Sequence, residues 1–195
     1  MRADPRPAVF VDRDGTLIPD RDYLADPDGV CPMAGAIEAL SMLRRSGFAL
    51  VVVTNQSGIA RGLYRIEDYH AVSARLSEVL EAQGVPLDGM YFCPHHPDFT
   101  GPCTCRKPGT GMYLRAAAEL GLDPARSWYV GDKITDVLPA LELQGRGILV
   151  RTGYGRELED SVPPGVAVAD DLAAAARHIV AAAGGPGATG AARGR

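Results

Sequence analysis

Short apolar segments alternate along this chain with segments in which apolar residues recur every three or four positions. The apolar runs, such as AVFV at 8–11 and FALVVV at 48–53, are typical of strands buried on both faces. Further short strands are expected at 89–92, 128–130, 147–150 and from Val166. The amphipathic segments predict helices over about 34–45, 67–83, 111–120, 133–143 and 171–182.

This alternation predicts an α/β fold, a three-layer α/β/α Rossmann-like core with a parallel sheet. We expect one domain over residues 1–183 and a disordered Gly/Ala/Arg-rich tail over 184–195. The intervals between strands hold too few residues beyond their helices for a separate cap domain. Only small loop lids over the sheet are therefore predicted.

The overall composition is that of a globular protein, with 46% hydrophobic and 23% charged residues and a net charge of −4. No basic run indicates nucleic acid as a partner, and no apolar segment approaches the length of a membrane span. The opening MRADPRPAVF lacks the apolar core of a signal peptide. We therefore expect a cytoplasmic monomer that acts on a small molecule.

Polar residues follow three of the predicted strands, where the carboxyl ends of parallel strands form ligand sites. The first strand ends in DRDGT, in which the carboxylates of Asp12 and Asp14 can share a divalent cation. Close like charges need a cation or a proton between them, which fits a Mg²⁺ site or a nucleophile-and-acid pair. A simple polar turn is the alternative, and this motif alone does not decide between the two.

Three further segments carry groups that suit a phosphate or a cation. Thr54 begins the TNQSG segment, whose hydroxyl, amide and backbone N–H groups can hold phosphate oxygens. Lys107 supplies a flexible point charge, although a lone lysine is usually just solvated. The GDKITD segment adds the carboxylates of Asp132 and Asp136 and a further cation, Lys133.

The segment CPHHPDFTGPCTCRKP at 93–108 concentrates three of the four cysteines and two of the four histidines. Two close pairs of soft ligands suit tetrahedral Zn²⁺, with all four positions filled as in a structural site. Free thiols or a disulfide are the alternatives, but free thiols at this density would be prone to oxidation and a disulfide is rare in the cytoplasm. The expected ligands are Cys93, His95, Cys103 and Cys105. His96 is a spare, and Cys31 is expected to be a small buried apolar residue.

The ordered motifs DRDGT, VVTNQSG, RKP and VGDKITD resemble those of the haloacid dehalogenase (HAD) superfamily of aspartate-nucleophile phosphatases. The resemblance spans roughly residues 8–154. TNQSGIARG and the C-P-H…C-x-C-R-K-P segment are more narrowly similar to heptose 1,7-bisphosphate phosphatases, whose relatives include histidinol-phosphate phosphatases. One departure is Ile18, where such proteins often carry Asn, and it bears on sugar recognition.

The resemblance implies a role for each matching residue. Asp12 would be the nucleophile and Asp14 the general acid and base, while Thr54 and Lys107 would hold the transferring phosphoryl group. Mg²⁺ would be held by Asp12, the Asp14 backbone carbonyl and Asp132. Contacts to the substrate would come from Asp20, Arg21, Asp22, Tyr23, Asn55, Gln56, Ser57, Arg106 and Lys133.

The function that these roles imply is Mg²⁺-dependent removal of the C7 phosphate of D-glycero-D-manno-heptose 1,7-bisphosphate through a phospho-aspartate. Zn²⁺ would be a structural cofactor. Histidinol-phosphate phosphatase is the first alternative, and a non-catalytic, zinc-stapled binding module is the second. A phosphatase of nucleic-acid ends is disfavoured by the negative net charge.

Overall fold

The fold is built on six parallel strands, described by a computed structural model that covers residues 4–184. The strands are β1 (Ala8–Val11), β2 (Ala49–Asn55), β3 (Gly89–Cys93), β4 (Trp128–Gly131), β5 (Arg146–Val150) and β6 (Ala167–Ala169). They lie in the order β3-β2-β1-β4-β5-β6. The order reverses between β1 and β4, so the crevice beyond their carboxyl ends is the expected ligand site.

Helices cover both faces of this sheet and bury almost all of β1, β2 and β4. The helices are α1 (Ala36–Arg45), α2 (Ile66–Ala82), α3 (Pro97–Thr100), α4 (Gly111–Leu120), α5 (Ile134–Glu142), α6 (Gly155–Leu158) and α7 (Leu172–Ala183). Alternate strand residues point to opposite faces. Val9, Leu50 and Val130 pack with α1, α2 and α7, whereas Phe10 and Val51 pack on the other face with α4 and α5.

The predicted three-layer architecture with a parallel sheet is confirmed. In residues 4–184, the loops between strands and major helices carry only 3-10 turns and the short helices α3 and α6. These two helices were not predicted, because four residues are too few to show a helical period. The predicted single domain stays a prediction, and its tail lies, apart from Gly184, outside the described residues.

Cys31 corrects one expectation from the sequence. It is exposed, in the loop between the 3-10 turn at Pro27–Gly29 and α1. The prediction rested only on the general tendency of cysteine to be buried. The loop has no apolar periodicity that could have indicated which of its residues face the core. Among the described residues, no helix is both long and apolar enough to cross a membrane.

Candidate active site

The buried side chain of Lys107 joins two carboxylates, that of Asp12 directly after β1 and that of Asp136 in the first turn of α5. Its Nζ lies 2.6 Å from Asp12 Oδ1 and 2.7 Å from Asp136 Oδ1, and it also donates to the carbonyl of Val53 at 2.7 Å. Burial opposes the charge, but the two carboxylates outweigh it and raise the pKa of Lys107. The ammonium therefore stays charged beside Asp12.

Asp132 completes the cluster from the end of β4. Its Oδ2 accepts a hydrogen bond from Tyr154 N at 2.9 Å, whereas its buried Oδ1 has no partner among the described residues. Gly15 and Gly153 approach this carboxylate so closely that a Cβ at either position would collide with it. Burial, followed by the charge of Asp12, raises the pKa of Asp132 to about 7.

This arrangement fits a cation. Oxygens of Asp12, Asp132 and Asp136 lie within 4.8 Å of one another. Lys107 forms ion pairs with Asp12 and Asp136, so one cation stands against three carboxylates, and Oδ1 of Asp132 has no partner among the described residues. Hard carboxylate oxygens are the ligands that Mg²⁺ prefers, and a cation would reverse the raised pKa of Asp132.

Asp14 lies two residues after Asp12, and its carboxylate belongs to a second network. Its Oδ2 accepts from Gln56 Nε2 at 2.9 Å and from Arg13 Nε at 3.0 Å. Burial raises the pKa of Asp14, and the charge of Arg13 partly offsets this effect. A carboxyl group whose pKa is raised by burial keeps its proton to higher pH, as a general acid requires.

A pocket opens beside these networks, and several residues expected to contact substrate line it: Asp20, Asp22, Tyr23, Asn55, Gln56, Ser57 and Lys133. Lys133 Nζ lies 3.3 Å from Asp20 Oδ2 and 4.6 Å from the centroid of the Tyr154 ring. Arg21 and Arg106 do not line it, and Arg106 instead donates to His95 O at 3.2 Å. Asn55 holds the backbone of Lys107 through its amide, at 3.0 and 3.2 Å.

Ile18 is fully buried and packs in the core between the sheet and α1. The carbonyl of Ile18 accepts from Gly15 N at 2.8 Å, which closes the DRDGT turn. It is not among the residues that line the pocket. The departure from Asn at this position therefore adds apolar packing under the turn.

The Cys/His segment gathers its four expected ligands into one cluster. The sulfur of Cys105 lies 3.1 Å from that of Cys93, 3.5 Å from that of Cys103 and 3.2 Å from His95 Nδ1. Zinc–thiolate bonds of about 2.3 Å at tetrahedral angles place sulfurs about 3.8 Å apart, so these side chains already lie near enough to share one ion. Burial, followed by the neighbouring thiol of Cys105, raises the pKa of Cys93. A cation would reverse that cost, so the four side chains fit Zn²⁺.

His96 is turned away from this cluster. Its Nδ1 accepts from Asp98 N at 3.3 Å at the start of α3, and its Nε2 lies 2.9 Å from Arg61 Nη2. Arg61 belongs to the loop after β2, which Ala60 N also ties to the carbonyl of Pro94 at 3.2 Å. The spare histidine therefore connects the Cys/His segment to the loop beside the pocket.

Sequence analysis missed two residues at the site. Arg13 is 1% exposed although arginine between two aspartates in a turn reads as a surface residue. Tyr64 is buried and donates from its hydroxyl to Gln56 Oε1. The sequence indicated Asp136 only as one of two carboxylates in the GDKITD segment, without a role. It forms a buried ion pair with Lys107, which is distant in sequence, and no local pattern could have indicated the pairing.

Known proteins are similar to this chain in sequence. The HAD-hydrolase-like family model matches residues 104–175. The D-glycero-beta-D-manno-heptose-1,7-bisphosphate 7-phosphatase of Yersinia pestis is 48% identical over 153 residues, covering 75% of this chain and 81% of the relative. The protein of that name from Escherichia coli K12 is 44% identical, covering 75% and 80%. This chain belongs to the heptose-1,7-bisphosphate 7-phosphatase family of HAD-like hydrolases.

Solved structures of heptose bisphosphate phosphatases share the fold. The D,D-heptose 1,7-bisphosphate phosphatase of B. bronchiseptica, solved with magnesium and phosphate, aligns with a TM-score of 0.82 and 34% identity. The alignment covers 90% of this chain and 99% of that one. The corresponding enzyme of Burkholderia thailandensis aligns with a TM-score of 0.68 and 30% identity, covering 90% and 99%.

Proposed function

We propose that this protein is a Mg²⁺-dependent phosphatase that hydrolyses the C7 phosphate of D-glycero-D-manno-heptose 1,7-bisphosphate and releases heptose 1-phosphate. One observation carries the proposal: Asp12, Lys107 and Asp132 converge at one edge of the sheet, in a chain that is 48% identical to a 7-phosphatase. Phosphoryl transfer needs this kind of charge neutralisation around an in-line nucleophile.

In the first step, the carboxylate of Asp12 attacks phosphorus and the bond from phosphorus to the C7 oxygen breaks. Asp14 gives its proton to the departing oxygen, and a phospho-aspartate remains. In the second step, Asp14 takes a proton from water, whose oxygen attacks phosphorus and frees Asp12 and inorganic phosphate. Covalent catalysis thus replaces one difficult displacement by two easier ones.

Lys107 supports both steps by holding positive charge 2.6 Å from the attacking carboxylate. The hydroxyl of Thr54, 1% exposed at the end of β2, is proposed to donate to the phosphoryl oxygens. Asp12, the Asp14 backbone carbonyl and Asp132 would hold Mg²⁺. When bound, this ion neutralises charge that accumulates on the transferring group.

Zn²⁺ is proposed as a structural ion on Cys93, His95, Cys103 and Cys105. All four ligand positions then belong to the protein, which leaves none for a reacting water. Arg106 and Lys107 follow directly after Cys105, so the ion fixes where the phosphate-binding lysine begins. Its effect on catalysis is therefore one of position.

The pocket residues give the proposed sugar contacts. The pocket offers carboxylate acceptors from Asp20 and Asp22, the ring of Tyr23 and the cation of Lys133. This combination suits a polyhydroxylated substrate with a second phosphate. Ser57 and Asn55 border the same pocket. Arg21 and Arg106 remain proposed contacts through their charge. The protein is further inferred to act as a cytoplasmic monomer on small phosphosugars.

Steady-state turnover of heptose 1,7-bisphosphate and histidinol phosphate, measured side by side, tests this function. We expect the heptose substrate to be preferred by at least about tenfold in kcat/KM. Phosphorus NMR should show loss of the C7 phosphate and retention of the C1 phosphate. A large preference for histidinol phosphate would contradict the substrate assignment, and absence of turnover with both would favour the binding module.

A further inference from the structure

The amide of Gln56 has no hydrogen-bonding capacity left for a substrate. Its Nε2 donates to Asp14 Oδ2 at 2.9 Å and to Thr54 Oγ1 at 2.8 Å. Its Oε1 accepts from Arg13 Nη2 at 3.0 Å and from Tyr64 OH at 2.5 Å. A glutamine amide has two donors and two main acceptor positions, and all four are used. The residue is also only 4% exposed.

The two carboxylate oxygens of Asp14 therefore differ in their hydrogen-bond partners. Oδ2 accepts from Gln56 Nε2, and the guanidinium of Arg13 lies against the same oxygen through Nε and Nη2, both at 3.0 Å. Oδ1 accepts no hydrogen bond from any residue between 4 and 184, and Asp14 lines the pocket. An oxygen whose lone pairs already accept N–H donors is a poor site for a proton. When this carboxyl group is protonated, the proton therefore resides on Oδ1.

We propose that Gln56 is a positioning residue for Asp14. Tyr64 holds Gln56, and Gln56 and Arg13 hold Oδ2 of Asp14, so that Oδ1 presents its proton to the leaving oxygen. The inference rests on the proposed acid role of Asp14. It changes the role that the sequence indicated for Gln56, from a contact with the sugar to the orientation of the acid.

Packing keeps this network in one arrangement. The guanidinium carbon of Arg13 lies 5.7 Å from the centroid of the Tyr69 ring, and the side chain is 1% exposed. Gly58 passes directly under the ring of Tyr64, where a Cβ would collide with it. The hydroxyl of Tyr64 therefore stays aimed at Gln56. A catalytic group held by packed neighbours spends no free energy on orientation during the reaction.

Leaving-group dependence separates a positioned acid from a sugar contact. A phenol that is strongly acidic departs as an anion without help, whereas a weakly acidic phenol needs a proton from the enzyme. Loss of acid positioning therefore slows the esters of weakly acidic phenols selectively. Loss of a sugar contact, or of the general fold, changes all simple aryl phosphates by one common factor.

The experiment is a single-turnover measurement of phenol release, with enzyme in excess, for a series of substituted phenyl phosphates. The proteins are the wild type, Gln56→Met, Tyr64→Phe, Asp14→Asn and, as a control in the same loop, Ser57→Ala. For Gln56→Met we expect about a 100-fold loss with the least acidic phenol and less than about threefold with the most acidic one. Tyr64→Phe should steepen the dependence in the same direction, by about threefold, because Arg13 still holds Gln56.

A slope in Gln56→Met and Tyr64→Phe that equals the wild-type slope would overturn the proposal, whether or not the rates fall. If Gln56→Met does not fold, Tyr64→Phe alone decides, since it removes one hydroxyl. A wild-type slope in Asp14→Asn would overturn the acid assignment and the proposal together. Failure of the heptose assignment is distinguishable, because it appears only in the comparison of sugar substrates and leaves the aryl slopes unchanged. Ser57→Ala should keep the wild-type slope.

Discussion

Residues 4–184 contain two clusters of candidate metal ligands, and the clusters differ in what they leave unsatisfied. The carboxylate cluster of Asp12, Asp132 and Asp136 retains a buried oxygen without a partner among the described residues, Asp132 Oδ1, and the residues next to it in sequence, Arg13 and Lys133, line the pocket. The Cys/His cluster of Cys93, His95, Cys103 and Cys105 turns its ligand atoms toward one another, 3.1 to 3.7 Å apart for the sulfurs.

This difference indicates separate roles for the two clusters, one in chemistry and one in structure. A cluster that leaves a position open can bind a reacting group, whereas one whose ligands close on a single centre can only fix the chain. The two regions meet at Cys105-Arg106-Lys107, where the last residue of the Cys/His cluster is followed by the lysine that is proposed to hold phosphate. Substitutions made in one cluster at a time therefore distinguish an effect on the reaction from an effect on the placement of Lys107.

Asp12→Asn should have the largest effect, a fall in kcat of at least about four orders of magnitude. The amide is isosteric with the carboxylate but cannot attack phosphorus, while Lys107 keeps Asp136 as a partner. Phosphate release measures the loss. Circular dichroism and zinc content should match the wild type, and retained activity would contradict the nucleophile assignment.

Cys105→Ser should come second, with loss of zinc and of stability. Removing one of four ligands is expected to lower the melting temperature by about 10 °C, or about 3 kcal/mol, and kcat by roughly tenfold because Lys107 is less well placed. Elemental analysis should show about one zinc per chain in the wild type. Cys31→Ser, an exposed cysteine outside the cluster, is the matched control and should change neither quantity. Wild-type protein purified without chelator but free of zinc would refute the site.

Asp136→Asn should have a moderate effect on both stability and rate. It removes one of the two carboxylates that hold the buried ammonium of Lys107, and Asp12 remains. We expect a loss of about 2 kcal/mol in the free energy of unfolding and roughly tenfold in kcat. Urea denaturation and phosphate release measure these values. Glu142→Gln, at the exposed end of the same helix, should change neither, and an equal effect of both variants would contradict the pairing.

Asp88→Asn should have the smallest effect, confined to stability. Asp88 lies at the amino end of the sheet, where Leu50 N donates to it at 2.9 Å and Arg44 lies 3.3 Å away. Burial opposes its charge, but these donors together with Arg6 hold the pKa of Asp88 below its usual value. The variant should lose about 1 kcal/mol at neutral pH with unchanged kcat.

The pH dependence of this difference follows from the lowered pKa. Stabilisation by Asp88 is present above the unfolded pKa of about 3.9 and is lost as the pH falls through the lower folded pKa. Denaturation of both proteins at pH 7 and below pH 3 should therefore show a difference that disappears in acid. A difference that grows in acid would contradict the ion pairs.

Much of the fold was predictable from the sequence because buried strands and amphipathic helices have distinct periods. The strand ends could be located, and with them Asp12, Thr54 and Asp132, since parallel strands place their carboxyl ends together. Local spacing also indicated the four soft ligands of the Cys/His cluster. Pairings between distant segments could not be predicted: Lys107 with Asp136, and Tyr64 with Gln56, depend on how loops cross the sheet edge.

The central claim is that the carboxylate cluster, through Asp12, accepts the phosphoryl group, while the Cys/His cluster takes no part in bond breaking. Rapid mixing of the zinc-loaded protein with substrate and Mg²⁺, followed by borohydride reduction and peptide mass spectrometry, tests it directly. Reduction converts an acyl phosphate to an alcohol. The account predicts this change at Asp12 alone. A phosphorylated histidine or cysteine within 93–105, or trapping at another carboxylate, would contradict it.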